Sequence, residues 1–212
     1  MRPLQGIMDT KLRIKEKADE LFRRYGIKSI TMDEIATQLG VSKKTLYQFF
    51  SDKDELVEDI VKDTLRSSQE ICEKNRKDSK DAVFELFGAM DMVQQMFSDM
   101  NPAMMYDLQR FHPKSYKHFL DHKNKFLFDM IRLNLKDGIE QELYRPEINI
   151  DIVARFRLEG MMLAFNQDIF PASKFNLAEL HMALIEHFLF GVASLKGHKL
   201  ITKYQQERLK IN

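Results

Sequence analysis

Helix-breaking residues are scarce in this chain, and that scarcity restricts its fold more than any other feature of the sequence. Among 212 residues there are only 8 Gly and 5 Pro. Apolar residues recur mostly at three- and four-residue spacing, whereas alternation of β-branched residues is almost absent. This spacing is typical of amphipathic helices. We therefore predict an all-α chain, with a small N-terminal unit of short helices and a larger C-terminal helical bundle.

The bulk composition is that of a globular chain rather than of a membrane protein. Apolar residues make up 44% and charged residues 31% of the chain, close to the averages for globular domains. No window approaches about 18 uninterrupted apolar residues, and residues 1–13 lack the apolar core of a secretory signal. The single cysteine, Cys72, permits no intrachain disulfide. We expect a cytoplasmic protein with no membrane partner.

Positive charge is concentrated near the N-terminus. The whole chain carries a net charge of only +1. Residues 1–50, however, contain ten Lys or Arg and six Asp or Glu, a local charge of +4. A modest positive bias at one end is compatible with a polyanion partner there, although an ordinary surface could also produce it.

Helix-capping signals divide the N-terminal region into short helices. Thr31 and Glu34 have the spacing of a capping box, in which each side chain satisfies a free backbone N–H. Gly40 ends this helix after about two turns, and Ser42 can cap a third helix over 43–50. Two short helices joined by a Gly-containing turn form a helix-turn-helix candidate.

The apolar stripe of the third helix determines which of its residues face outward. Leu46, Phe49 and Phe50 follow one another at i, i+3 and i+4, so they point into the domain. The opposite face carries side chains suited to base edges and phosphates. We predict that DNA is contacted by Thr31, Ser42, Lys43, Lys44, Thr45, Tyr47, Gln48 and Lys53. A lysine-rich outer face is also common on helices that meet only solvent, and spacing alone leaves both interpretations open.

The ordered run ITMDEIATQLGVSKKTLYQFFSDKDELVEDIV resembles the N-terminal domain of the TetR family of transcriptional regulators. The resemblance covers about residues 10–65 and includes Gly-Val-Ser, Thr-Leu-Tyr and the Lys-x-Glu-Leu that opens the fourth helix. It implies a three-helix DNA-binding head whose recognition helix is 43–48, with Tyr47 and Lys53 on phosphates. Many family members have Gly at the position of Lys44. The ammonium of Lys44 would therefore contact either a base or a phosphate.

The later helices are predicted at 80–99, 102–111, 115–141, 150–169 and 176–195. A polar stretch near residue 70 suggests a junction between two domains. We predict a helix-turn-helix domain at 8–68, an effector-binding and dimerisation domain at 69–198, and an exposed polar tail at 199–212. Gly197 is expected to cap the last core helix.

The last two long helices carry more apolar surface than one outer helix needs. In the family, the corresponding pair forms a four-helix interface with a second subunit, so the resemblance implies a homodimer. The predicted interface residues are Phe156, Met161, Phe165, Leu180, Leu184 and Phe188. The alternative is that these residues fill the core of a monomer.

Residues 90–130 are dense in Met and aromatic side chains. Met is flexible and polarizable, which suits adaptable apolar pockets, and the family often encloses a small molecule in this part of the chain. An apolar or amphipathic effector would then be lined by Met90, Val93, Phe97, Met105, Phe111 and Phe126. Core filling is the alternative for each of them.

Catalytic and metal-binding patterns are not found. His118 and His122 are four residues apart, as two metal ligands can be, but Lys117 and Lys123 disfavour a nearby cation. No nucleotide-binding loop or Ser/His/Asp pattern is present. We predict a non-enzymatic protein with no cofactor and no metal. It would bind a palindromic operator in double-stranded DNA as a ligand-responsive repressor. An activator of the same fold, or a helical protein that binds small molecules without DNA, remains as an alternative.

Overall fold

The computed structural model describes residues 2–209, and side chains from Asp9 to Leu209. The described residues form eleven α-helices, a short π-helical segment and turns, which confirms the predicted all-α fold. The α-helices are α1 Arg2–Tyr25, α2 Met32–Leu39, α3 Lys43–Phe49, α4 Lys53–Asp78, α5 Ala82–Phe97, α6 Ala103–Phe111, α7 Pro113–His122, α8 Phe128–Glu140, α9 Ile150–Leu163, α10 Leu177–Val192 and α11 Leu195–Leu209. The π-helical segment, Lys123–Leu127, joins α7 to α8.

The chain divides into two compact units. The first contains the described residues up to Ser67 together with Asp99–Leu120. Its core is a continuous apolar cluster contributed by α1 to α4 and by Leu108 of α6. The largest of its fully buried side chains are Phe22, Phe50, Ile14, Ile27, Ile35, Leu46 and Leu56. Burial of these side chains stabilises the short α2 and α3, which are too short to be stable alone.

Residues 99–120 depart from the predicted organisation. We placed them in the C-terminal domain, whereas they pack in the first unit. Met104, Met105, Tyr116 and Phe119 pack against its apolar core. In α1, Leu12 and Tyr25 are about half exposed.

The second unit contains residues 68–98 and those from 121 onward. Its apolar cluster combines residues of α5, α8, α9, α10 and α11. A polar network runs through this core, since Glu85 accepts hydrogen bonds from Arg76 at 3.2 Å and from Asn134 at 3.0 Å. The Tyr144 hydroxyl donates at 3.1 Å to Asn134 Oδ1. Each of these buried polar groups therefore has a partner.

The predicted exposed tail is wrong for the residues that the structure describes. Residues 195–209 form α11, in which Ile201 and Tyr204 are buried in the second unit. Gly197 lies inside this helix rather than at the end of the preceding one. A Cβ at Gly197 would lie 2.0 Å from the carbonyl oxygen of Leu143, so the close approach of the two backbones requires glycine. The burial of Ile201 and Tyr204 was not predicted because most of their neighbours in the sequence are polar.

The predicted junction near residue 70 coincides with the division between the two units at Ser67 and Ser68, although the helix itself does not end there. α4 continues through them to Asp78, with Asp81 capping the next helix by accepting a 2.8 Å hydrogen bond from the Phe84 N–H. The predicted break at His112 is present, because His112 leaves helical geometry (φ −129°, ψ 61°) immediately before Pro113. No helix in residues 2–209 combines the length and apolar character needed to cross a membrane.

Candidate nucleic-acid interface

Two capping motifs fix α2 and α3 relative to their turn. The Thr31 hydroxyl accepts a hydrogen bond from the Glu34 N–H at 3.2 Å, and the Glu34 carboxylate accepts one from the Thr31 N–H at 2.7 Å. Gly40 has a φ of 68°, in the left-handed region that favours glycine. Ser42 Oγ accepts a 3.0 Å hydrogen bond from the Thr45 N–H. The predicted capping box and turn are therefore present.

The third helix has one buried and one exposed face. Leu46 and Phe50 are buried, and Phe49 is partly buried against the same apolar cluster. Tyr47 retains 48% of its surface exposed, and Lys44 and Gln48 are exposed beside it. The orientation matches the one predicted from the apolar stripe. This face presents a cation, an amide and a phenol to solvent.

The two adjacent lysines differ in their partners. Lys43 forms an ion pair with Asp33 of α2, and both side chains are more than half exposed. The side chain of Lys44 forms no hydrogen bond or ion pair with any residue from 9 to 209. Its ammonium group is therefore available to a ligand without breaking an internal contact, whereas the charge of Lys43 is partly neutralised by Asp33.

Lys53 does not share the exposed position of Lys44. Its ammonium donates a 2.5 Å hydrogen bond to the backbone carbonyl oxygen of Ile27 and lies 5.7 Å from the centre of the Phe22 ring. Burial lowers the pKa of this ammonium, a shift that nearby carboxylates partly oppose. The structure thus gives Lys53 an internal contact that sequence reasoning did not foresee.

The segment 99–120 is held against the head by polar contacts that the sequence analysis missed. The Asn101 N–H donates to the Arg23 carbonyl oxygen at 2.7 Å. Asp107, which is buried, accepts a 2.8 Å hydrogen bond from the Lys28 N–H in the turn after α1. In the sequence, this packing could have been inferred only from the position of Asp107, an acidic residue on the apolar face of a helix.

A second set of contacts joins this segment to α4. The Nδ1 atom of His112 lies 2.5 Å from Asp54 Oδ1. Glu58 is 2.7 Å from Lys114 and 3.1 Å from His118, and these contacts, with one from Lys62, lower the pKa of Glu58 to about 2. These contacts surround an open groove of about 590 Å³ that is rich in carboxylates. Its charge is unsuited to phosphate binding.

The residues of the predicted effector pocket belong to both units. Met105 packs against the core of the first unit, and Phe111 lies there under the Lys28 ammonium, 5.1 Å from its ring centre. The remaining four residues belong to the second unit, where Met90 is buried in the core and Val93 packs against it. The six residues are thus divided between the two units, and a single lining made of all six stays a prediction.

The predicted dimer residues have different degrees of exposure. Phe156 exposes 68% of its surface, and Ile152, one turn earlier on α9, exposes 66%. Phe188 is buried in the core, so its assignment to an interface is wrong. The others are partly buried, namely Met161, Phe165, Leu180 and Leu184. An exposed apolar surface therefore remains on α9, centred on Phe156.

The two spaced histidines do not form a metal site in the described part of the chain. His118 contacts Glu58 in the first unit, whereas His122 packs on Phe126 with ring centres 5.0 Å apart in the second. Residues 2–209 contain no group of three or more His, Cys, Asp or Glu that could hold a metal ion.

Comparisons with known proteins place this geometry among bacterial regulators. Residues 14–60 match the sequence profile of the family described as bacterial regulatory proteins, tetR family. The uncharacterized HTH-type transcriptional regulator YvaF of Bacillus subtilis is 23% identical over 189 residues, covering 86% of this chain and 95% of its own. The HTH-type transcriptional repressor KstR2 of Mycobacterium tuberculosis is 24% identical over 151 residues, covering 66% and 72%.

The fold also has a counterpart among solved structures. A TetR-family transcriptional regulator from Agrobacterium tumefaciens superposes with a TM-score of 0.74 and 16% identity, covering 89% of this chain and all of that one. At this identity the likeness establishes the fold. The matched residues 14–60 cover the second half of α1, all of α2 and α3, and the first turns of α4. They include the exposed face of α3 described above.

Proposed function

The chain belongs to the TetR family of bacterial regulatory proteins, and on that premise we propose that it represses transcription by binding a palindromic operator as a homodimer. Its function is that of a DNA-binding transcriptional regulator rather than of an enzyme. This excludes the alternative of a helical protein that never meets DNA. The exposed face of α3, held by Leu46 and Phe50, is the observation that carries the proposal.

The side chains on this face have different roles in the proposed complex. Lys44 is free of internal contacts and can donate to guanine acceptors or to a phosphate, while the amide of Gln48 can pair with adenine. Tyr47 can donate to a phosphate oxygen without reading sequence. Thr45, with the capping residues Ser42 and Thr31, lies beside them. Lys53 donates to the Ile27 carbonyl oxygen and has further N–H donors for a phosphate.

A homodimer supplies the second head that specific recognition needs. One seven-residue helix reaches few bases, and two heads related by a two-fold axis can read a palindrome in successive major grooves about 34–36 Å apart. Linking the two heads raises the affinity for the full site. We assign the interface to α9 and α10, because Ile152 and Phe156 leave an uncovered apolar surface there.

Repression follows from occupancy of a promoter, and a small-molecule effector bound in the second unit would release it. Such release requires that the effector bind one conformation of the dimer more tightly than the other. An activator of the same fold differs only in where its operator lies relative to the promoter. Because its target is genomic DNA, we place the protein in the cytoplasm.

Selection of genomic DNA fragments with the full-length protein, followed by mobility shift on the recovered sites, tests the proposal. We expect a palindromic site bound by two subunits, and reporter expression that rises when the gene for this chain is deleted. Recovery of no specific site would refute the DNA-binding assignment of α3. A specific site whose reporter falls on deletion would make the protein an activator.

A further inference from the structure

The turn between α1 and α2 presents Lys28 to solvent from a fixed backbone. Ile27 and Ile30, at the two ends of this turn, are 1% and 7% exposed and belong to the core of the first unit. The Ile30 N–H closes the turn by donating a 3.3 Å hydrogen bond to the Ile27 carbonyl oxygen. Lys28 and Ser29 occupy the two positions between them, and both are exposed. The buried isoleucines therefore anchor the backbone from which Lys28 projects.

A residue of α6 supports the same turn from inside the first unit. Asp107 is 6% exposed and accepts a 2.8 Å hydrogen bond from the Lys28 backbone N–H. Gly26, immediately before the turn, has a φ of 82°, and a Cβ at this position would lie 3.1 Å from Asp107 Oδ2. The buried carboxylate thus packs against the backbone of the turn, and it satisfies an N–H of the main chain rather than the ammonium of Lys28.

The ammonium of Lys28 is positioned but not neutralised. It lies over the ring of Phe111, 5.1 Å from the ring centre, and it forms no hydrogen bond or ion pair with any residue from 9 to 209. The face of an aromatic ring attracts a cation without removing its charge. Four basic residues of α1 have acidic partners instead, namely Lys11, Lys15, Lys17 and Arg23. The charge of Lys28 is therefore available to an anion outside the protein.

This turn adjoins two of the predicted DNA contacts. Ile30 is followed directly by Thr31, whose hydroxyl caps α2. Lys53 donates to the carbonyl oxygen of Ile27, the same oxygen that closes the turn. Lys28 thus belongs to the backbone turn that joins these two residues within the first unit. Phosphates repeat at short intervals along a DNA strand, so adjacent groups on one protein surface can contact neighbouring phosphates.

From this arrangement we propose that Lys28 contacts a DNA phosphate beside the half-site read by α3, and that Phe111 of α6 positions its ammonium for this contact. A phosphate contact adds affinity for duplex DNA of any sequence and does not choose between sequences. Phe111 is a positioning residue, because it acts through Lys28. The inference rests on the proposed function, since it extends the DNA interface from α3 to the turn between α1 and α2.

Fluorescence anisotropy of the full-length protein tests the phosphate contact, on the selected operator and on a duplex of unrelated sequence. Lys28→Met should weaken binding to both duplexes by about 5–50-fold at about 0.1 M salt. The slope of log affinity against log salt should become shallower by about 1.8, because each of the two heads loses one phosphate contact. Lys117→Met is the matched control. It removes the same charge from an exposed position on α7 in the same unit, and it should bind like wild type.

Two substitutions at Phe111 test the positioning role. Phe111→Leu removes the ring beneath the ammonium, and its affinity and salt slope should fall between those of wild type and Lys28→Met. Phe111→Tyr keeps the ring and should restore both quantities to wild-type values. A role of Phe111 in packing alone would leave the salt slope unchanged in both variants, which would overturn the positioning role.

The outcomes separate this inference from the proposed function. A Lys28→Met variant with wild-type affinity and salt slope would overturn the phosphate contact, and so would an equal loss in Lys117→Met, which would reflect only the net charge. In either case operator binding through α3 would stand. Failure of the wild-type protein to bind any specific site would instead refute the proposed function itself.

Discussion

The ammonium of Lys53 lies 2.5 Å from the backbone carbonyl oxygen of Ile27, which ties the start of α4 to the turn after α1. The same group lies over the Phe22 ring. The resemblance to the family implies that Lys53 contacts a DNA phosphate. In the structure, Lys53 donates a hydrogen bond within the first unit. A single side chain can therefore contribute to both stability and DNA binding, and the two contributions can be measured separately.

Replacing Lys53 should lower the stability of the protein even without DNA. Lys53→Met removes a charged donor from a partly buried carbonyl oxygen, and we expect the free energy of unfolding to fall by about 1–3 kcal/mol. Urea unfolding followed by circular dichroism measures this. Lys44→Met is the matched control, since Lys44 is exposed and should change stability by at most about 0.5 kcal/mol. Equal stability of the two variants would contradict a structural role for Lys53.

The exposed face of α3 should divide into residues that choose sequence and residues that add affinity. Lys44→Ala and Gln48→Ala should weaken operator binding by about 1–3 kcal/mol and relax specificity if each contacts a base. Tyr47→Phe should weaken binding to operator and non-operator DNA alike. Fluorescence anisotropy on both DNAs at several salt concentrations separates the two classes. Affinities identical to wild type in all three variants would refute this face as the interface.

The α9 surface should control assembly. Phe156→Glu places a charge in the proposed interface and should convert the dimer to a folded monomer, as measured by sedimentation equilibrium. Tyr106→Glu is the control, because Tyr106 is also an exposed aromatic residue, at 61%, but lies in the first unit. A dimer that persists in Phe156→Glu would place the interface elsewhere.

Phe188→Ala, in the core, should instead lower the melting temperature of the protein, because it removes about 3–5 kcal/mol of stability.

Local sequence signals predicted the head because they are short-range. The Thr31–Glu34 capping box, the Gly40 turn and the Leu46 stripe each depend on neighbours within four residues, and all are present. The packing of 99–120 on the head depends on contacts such as Asp107 with Lys28, 79 residues apart in the chain. Spacing cannot reveal such pairs, and for that reason the predicted pocket combined residues of two units.

Similar limits explain the incorrect predictions for the second unit. Periodicity showed that α10 has an apolar face but not what covers it, so Phe188 was assigned to a partner rather than to the core. Ile201 and Tyr204 are spaced three residues apart within a polar segment, too weak a pattern to predict a buried helix.

Glu58 should make stability depend on pH in the acid range. Contacts with Lys114, Lys62 and His118 lower its pKa from 4.5 to about 2. A carboxylate with a lowered folded-state pKa stabilises the fold above pH 4.5 and loses that contribution as the pH falls toward 2. Glu58→Gln should therefore flatten the dependence of the unfolding free energy on pH between these values. Parallel acid profiles for the variant and wild type would rule out this linkage.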